Sequence, residues 1–281
     1  MTPQLGNIVF IVWRESVEAL LVIGILNAWL RHQNDRLAFA QATRYLWSGV
    51  AAGILFAVAF AFALIWLGDA LPDEAQQTYQ TAAVLIAAAL IVQMVLWMRR
   101  NSRDLKRNLQ SSLSEAASQS RWWGVFTLSL IAVAREGGET AVFLYGTLGA
   151  GPAAGWPAQA LAVSAGFAAA AVSYWALQLS GRYISWRIFF RVTEVMLLFL
   201  AASLLLTGVD NLADLGVIPS LSGRLWDSSR FLPDSGAAGG LVSALTGYRA
   251  KPDLLELVAY TAYWILILWL LSFFRPARRP A

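Results

Sequence analysis

Two short segments of this chain place ionisable side chains in strongly apolar surroundings. They read RESVE at residues 14–18 and REGGE at residues 135–139, so each is an Arg-Glu-x-x-Glu pentad. The first lies within the apolar stretch 7–28 and the second within 125–147. An ionised group at bilayer depth costs at least about 2.5–3.5 kcal/mol on insertion scales. Six such groups in two matching clusters predict a function, and the simplest one is to hold or pass a cation.

Helical spacing brings the charged side chains of each pentad together. Residues three and four apart share one face of a helix, so the arginine and both glutamates of a pentad point the same way. If the two helices face each other, four carboxylates and two guanidinium groups meet near the bilayer centre. Their net charge of −2, when all are ionised, would attract a multivalent cation. The six residues of this predicted site are Glu15, Glu18, Glu136, Glu139, Arg14 and Arg135.

The residue types at the predicted site limit which cations it could bind but do not identify one. Carboxylate oxygens suit hard cations, namely iron(III), manganese, magnesium, calcium or protons. The chain has no Cys and a single histidine, His32, which excludes thiolate or histidine-rich metal sites. We expect Arg14 and Arg135 to hold the carboxylates while the site is empty and to give way to an entering cation. Gly137 and Gly138 predict local irregularity of the second pentad helix.

Composition places the pentads in a membrane. The 281 residues are 58% hydrophobic and 14% charged, with 13 Trp, which is typical of an all-α polytopic membrane protein. The basic residues lie in short loops, which gives no indication of a nucleic-acid partner. Windows of about 20 apolar residues predict seven transmembrane helices. These are 7–30, 45–68, 79–98, 123–147, 157–180, 187–208 and 255–274.

Loop charge predicts an N-out, C-in orientation. Basic residues concentrate after the first, third, fifth and seventh spans, which places those loops in the cytoplasm. The pentads then fall on spans 1 and 4, which predicts two inverted three-helix repeats plus a seventh helix. Small residues spaced by four on spans 2 and 5 favour close helix packing: Gly49, Gly53, Ala57 and Ala61, and Ala162, Gly166 and Ala170. The predicted organisation is a first repeat (1–98), a basic loop (99–122), a second repeat (123–208), an extracytoplasmic loop (209–254), and the last helix with its basic tail (255–281).

The sequences RESVEALLVIG, REGGETAVFLYG and the WMRR that closes span 3 resemble the oxidase-dependent iron permeases. That family includes the yeast high-affinity iron permease and the bacterial iron-uptake permeases, and the resemblance covers most of the chain. It implies iron import across a plasma membrane or bacterial inner membrane, with the glutamates at 15, 18, 136 and 139 as iron ligands. It also implies a separate ferroxidase or periplasmic iron-binding protein as donor, because no iron-binding domain precedes span 1.

Several further residues are candidates for a role in transport, and each also has a simpler structural explanation. Glu194, three residues from Arg191, could relay the ion inward, although an interfacial ion pair is the favoured interpretation. The thioethers of Met94 and Met98 could assist a softer ferrous ion, although packing is favoured. Asp210 and three acidic residues in the loop between spans 2 and 3 could form an outer mouth that concentrates cations, or only a solvated loop. Those three are Asp69, Asp73 and Glu74. The long segment 209–254 is typical of a folded-back cap or a docking surface for a donor, with a plain connector as the alternative.

The sequence therefore predicts an iron permease rather than an enzyme, with iron as substrate and no organic cofactor. Iron(III) delivered by the partner is the expected form. No Walker A sequence is present, so we expect transport driven by a gradient or by delivery. Two alternatives stay open: a proton-coupled manganese or calcium exchanger using the same carboxylates, and a non-transporting membrane assembly subunit whose pentads are structural clamps.

Overall fold

The apolar stretches of the sequence fold into long helices. The computed structural model of the protein describes residues 3–31, 36–101, 122–149, 155–179, 186–219, 223, 225–233 and 237–273. The regular structure in these ranges is α-helical, which confirms the predicted all-α class. Its elements are α1 (Pro3–Leu30), α2 (Arg36–Asp69), α3 (Asp73–Asn101), α4 (Trp123–Gly149), α5 (Trp156–Leu179), α6 (Trp186–Asp214), the short α7 (Ala237–Thr246) and α8 (Leu254–Phe273).

Each of the seven predicted spans corresponds to one long helix. Five of these helices, α2, α3, α5, α6 and α8, contain segments long and apolar enough to cross a membrane. The other two, α1 and α4, have 28 and 27 residues, and each carries a pentad with three charged side chains in its middle. Those charges lower the hydropathy of the two helices. The structure is that of a polytopic membrane protein.

Small residues allow two helix pairs to approach closely. A Cβ added at Gly53 on α2 would lie 2.8 Å from Val133 Cβ on α4, and one added at Gly166 on α5 would lie 2.8 Å from Val12 Cβ on α1. Such distances leave no room for a side chain, so the small residues on spans 2 and 5 serve close packing as predicted. Further contacts along each pair, such as Gly24 with Tyr174, show that α1 runs parallel to α5 and α2 parallel to α4.

The core lies where α3, α6 and α8 meet. Buried side chains of α3 and α6 pack together with Phe143 of α4, and Tyr263 of α8 donates a hydrogen bond to the Leu198 carbonyl at 2.7 Å. Helices α3 and α6 are antiparallel, since Leu85 packs at Gly208 near one end and Arg99 pairs with Glu194 near the other.

The described part of segment 209–254 is a folded cap. Its helix α7 packs against α6 and α1, and Gly247 ends it with a positive φ of 75°. The Ser203 hydroxyl donates to the Ser243 carbonyl at 3.2 Å, and the Tyr260 hydroxyl donates to the Thr246 carbonyl at 3.2 Å. The second bond satisfies the Thr246 carbonyl at the end of α7, and the first adds a donor to the Ser243 carbonyl, which also accepts from the Gly247 amide at 2.8 Å.

The irregular stretch 225–233, which contains a turn at 229–231, is tied to the residues that follow α7. The Ser228 amide donates to the Ala250 carbonyl at 2.8 Å. Hydrogen bonds from the Ser229 hydroxyl and amide, together with Lys251, lower the pKa of Asp227 to about 2. The Asp227 carboxylate therefore stays ionised at any pH near neutrality, so its pairing with Lys251 persists there.

Some sequence predictions fall outside the described residues. Loop 99–122 is described only up to residue 101 and at residue 122, and the basic tail after residue 273 is not described. The expected irregularity at Gly137 and Gly138 is wrong, because α4 is a continuous helix from Trp123 to Gly149. Gly137 is instead accounted for by packing, since its α-carbon faces Ala57 on α2.

Candidate metal site between helices α1 and α4

The two pentads meet in one cluster. One carboxylate oxygen from each of Glu15, Glu18 and Glu136 lies within 4.8 Å of those of the other two. Glu15 is only 1% exposed and Glu18 only 12% exposed. The fourth glutamate, Glu139, lies one turn beyond Glu136 on α4 and is 18% exposed. Packing of α1 against α4 thus brings together carboxylates that are about 120 residues apart in the chain.

Three of the four glutamates keep a buried oxygen without a hydrogen bond or an ion pair. Within the described part of the chain these atoms are Glu15 Oε2, Glu136 Oε2 and Glu139 Oε2, whereas Glu18 Oε1 is ion-paired with Arg14. Buried polar atoms are rarely left unsatisfied, because each costs about 1–3 kcal/mol. Three such acceptors on neighbouring side chains remain available to a ligand that supplies positive charge.

Arg14 holds the glutamates of its own pentad. Its Nη1 donates to Glu15 Oε1 at 2.7 Å and its Nη2 is ion-paired with Glu18. The same guanidinium group contacts two thioethers of α3, with Nη1 2.7 Å from Met94 Sδ and Nη2 3.1 Å from Met98 Sδ. Arg14 is 1% exposed, so its charge depends wholly on these partners.

Arg135 has a different environment although it is the matching residue of the second pentad. Its Nε donates to Glu139 Oε1 at 2.9 Å, and its guanidinium carbon lies 4.4 Å above the ring centre of Trp97 on α3. Arg135 is 39% exposed. The cation–π contact with Trp97 was not predicted from the sequence. The only signal was the position of Trp97 between the two methionines in the sequence MVLWM.

The arrangement can bind a cation in a water-poor interior. Ion pairs form between Arg14 and both glutamates of its pentad, and between Arg135 and Glu139, whereas Glu136 pairs with no cation among the described residues. Coulomb interactions are stronger away from bulk water, so a multivalent cation entering between α1 and α4 would gain several close contacts with carboxylate oxygens.

The other predicted site residues lie outside this cluster, apart from the two methionines. Glu194 pairs with Arg99 of α3 rather than with Arg191, and so links the ends of α3 and α6. Asp210 accepts a hydrogen bond from Arg249 at 2.8 Å, and Arg249 also pairs with Glu256 at 3.2 Å. Asp69 and Asp73 are exposed at the turn between α2 and α3, and the side chain of Glu74 falls outside the described residues.

The fold and the cluster together define a class. A bundle of long apolar helices that buries a group of carboxylates is a polytopic membrane protein with a candidate cation site. The chain belongs to the iron permease FTR1 family, whose model matches residues 6–276.

Individual relatives agree with this membership. The chain is 25% identical over 273 residues to the ferrous iron permease EfeU of Yersinia pestis, which covers 96% of this chain and 94% of that protein. It is 27% identical over 278 residues to the ferrous iron permease EfeU of Escherichia coli O6:K15:H31, with 96% of both chains covered. No solved structure matches this one. The protein is thus a multi-pass membrane protein of an iron-transporting family.

Proposed function

We propose that this protein imports iron across the bacterial inner membrane through one site formed by Glu15, Glu18, Glu136 and Glu139. The observation that carries the proposal is the meeting of three carboxylate oxygens within 4.8 Å, with an unsatisfied oxygen on Glu15, Glu136 and Glu139. A ligand supplied by transport, rather than a permanent protein partner, accounts for acceptors that remain unpaired.

Helix directions support seven crossings. Two transmembrane helices run parallel when their span numbers differ by an even number. This is how α1 packs on α5 and α2 on α4. Helices α3 and α6 are antiparallel, as an odd separation requires. On this topology α1 and α4 cross the bilayer despite their charges. The basic loops after spans 1 and 3 then face the cytoplasm.

Packing register supports an inverted repeat. Arg14 and Arg135, the first residues of the two pentads, are 121 positions apart. Val12 and Val133 have the same separation and are therefore equivalent positions of the two repeats. Val12 packs at Gly166 and Val133 packs at Gly53, so equivalent positions of the two pentad helices meet a glycine of the other repeat. The second helix of each repeat therefore packs against the first helix of the other repeat. The carboxylate cluster lies where the two repeats meet.

Iron(II) is the form we propose to enter the site. The sequence favoured iron(III) from a partner oxidase, but relatives similar over the whole chain are named ferrous iron permeases. The sulphur atoms of Met94 and Met98 at the edge of the cluster also suit the softer ferrous ion better than the ferric ion. A separate ferroxidase or periplasmic donor stays a prediction.

The two rival functions make different use of the carboxylates. A structural clamp would pair the glutamate oxygens with permanent donors, whereas Glu15, Glu136 and Glu139 each keep an unsatisfied oxygen. A manganese or calcium exchanger would use the same oxygens but would gain nothing from the adjacent thioethers, because those ions prefer oxygen ligands.

Uptake by purified protein tests the proposal. Proteoliposomes are supplied with radioactive iron as iron(II) under reducing conditions or as chelated iron(III), and calcium and manganese uptake are measured in parallel. We expect iron(II) uptake that Glu136→Gln abolishes and that Glu256→Gln, a carboxylate of α8 paired with Arg249, retains. Uptake of manganese or calcium without iron would establish the exchanger instead. Loss of stability in Glu136→Gln without any metal flux in the wild type would establish the clamp.

A further inference from the structure

The guanidinium group of Arg14 is a positive group that lies between carboxylate and thioether side chains. Nη1 is 2.7 Å from both Glu15 Oε1 and Met94 Sδ. Nη2 is 3.1 Å from Met98 Sδ and is paired with Glu18. One positive group therefore touches two carboxylates from α1 and two thioethers from α3.

These four side chains are close enough to share one ion. Glu15 Oε1 and Met94 Sδ lie at the same distance from a single nitrogen atom, so they are separated by no more than twice that distance. Glu15 and Glu18 are one helical turn apart on α1, and Met94 and Met98 are one turn apart on α3. Met94 is 3% exposed, so its sulphur is directed at the site and away from lipid and water.

Ordinary packing does not account for the direction of the two sulphur atoms. A thioether is a weak hydrogen-bond acceptor, so a buried guanidinium gains little from two of them. A thioether is, however, a soft ligand that binds ions such as iron(II) or monovalent copper and silver better than it binds calcium, magnesium or manganese. The chain contains no Cys and only four Met, so these sulphur atoms are its principal means of recognising a softer ion.

We propose that, when Arg14 withdraws, Glu15, Glu18, Met94 and Met98 form a two-oxygen, two-sulphur site that selects ferrous iron over harder divalent ions. This rests on the proposed function and names the residues that give it specificity. Arg14 acts as the occupant that keeps the site closed to solvent cations until an ion reaches the carboxylates.

The two pentads then have unequal roles. Arg135 rests on the aromatic face of Trp97 and is 39% exposed, and among the described residues no methionine sulphur is in contact with its guanidinium group. The glutamates of α4 supply only oxygen atoms to the shared cluster. The side chains that distinguish softer from harder metal ions therefore lie on the side of the cluster formed by α1 and α3.

Silver(I) is a direct probe of the two thioethers, because this protein offers it no thiol. The wild-type protein is labelled with carbon-13 at the methionine methyl groups, and silver(I) is titrated in detergent micelles. Signals are assigned with single Met→Leu variants, in which side-chain volume is nearly conserved. We expect silver(I) to shift the signals of Met94 and Met98 and to leave that of Met196 on α6 unchanged.

Transport selectivity is the second readout. In proteoliposomes, silver(I) should inhibit iron(II) uptake by the wild type and by Met196→Leu. It should not inhibit the Met94→Leu/Met98→Leu variant. In that variant we also expect manganese(II) to compete with iron(II) about tenfold better, the order of effect of weakening one metal ligand.

The outcomes separate this inference from the proposed function. If the wild type takes up iron but silver(I) leaves both methyl signals unchanged and the double variant keeps its selectivity, the sulphur site is wrong and the permease stands. If silver(I) shifts both signals but no iron enters under any condition, the proposed function is wrong and the soft-metal site stands.

Discussion

Gly137 on α4 faces Ala57 on α2 so closely that a Cβ added to Gly137 would overlap the Ala57 methyl group. For the next residue, Gly138, no described atom outside its chain neighbours and the nearby backbone of α4 lies within 4 Å of the position that its Cβ would take. Two adjacent glycines in one pentad thus have opposite requirements. The first allows α2 and α4 to pack beside the carboxylate cluster, and the second leaves open space in the same turn.

This contrast predicts the effects of two alanine substitutions. Gly137→Ala should lower the free energy of unfolding by about 1–3 kcal/mol, because the backbones of α2 and α4 must separate to admit the methyl group. Gly138→Ala should be neutral or stabilising by up to about 1 kcal/mol through its higher helix propensity. Thermal unfolding of the purified protein, followed by tryptophan fluorescence, measures both, and equal destabilisation by the two changes would contradict the packing described.

The two pentad arginines should differ in their contribution to stability. Arg14→Gln leaves two buried carboxylates without their cation, which costs about 3–5 kcal/mol when one partner of a buried pair is removed. Arg135→Gln removes a partly exposed ion pair and a cation–π contact, each worth about 1 kcal/mol or less.

Detergent-solubilised yield and unfolding temperature provide the comparison, with Arg249→Gln as a control in a separate ion-pair network. We expect Arg14→Gln to unfold at a much lower temperature than either other variant. Equal unfolding temperatures for the two pentad variants would show that burial of Arg14 does not govern its role.

The sequence was sufficient to predict the long helices and the composition of the cluster. Charges are expensive in apolar helices, so the pentads stand out from their surroundings, and the i, i+3 and i+4 spacing determines which side chains share a face. What the sequence could not provide are contacts between helices that are distant in the chain. The choice of Met94 and Met98 as partners of Arg14, and of Trp97 as partner of Arg135, depends on the rotation of α3 about its axis.

The short helix α7 was missed for a related reason. Its sequence AAGGLVSALT has two glycines, which weaken helix propensity, and its ten residues are too few for a spanning helix. Hydroxyl groups of Ser203 and Tyr260 satisfy carbonyl groups near its end. Such support comes from α6 and α8 and cannot be read from local sequence.

Acidic residues at the α2–α3 turn should influence uptake only through long-range attraction. Asp69 and Asp73 are exposed, and the Asp69→Asn/Asp73→Asn variant should raise the KM for iron(II) about twofold at low salt. The effect should disappear when the Debye length falls to about 3 Å at 1 M salt. Initial uptake rates at the two salt concentrations measure it. A KM increase that persists at high salt would instead indicate direct binding of iron by these carboxylates.

The central claim is that the two pentads form one metal site. Anaerobic titration of the purified protein with iron(II), followed by calorimetry, tests it with Glu15→Gln, Glu136→Gln and the control Glu256→Gln. We expect one high-affinity ion per chain, lost in either pentad variant and retained in the control. Two ions per chain, one lost in each pentad variant while the other remains, would contradict it.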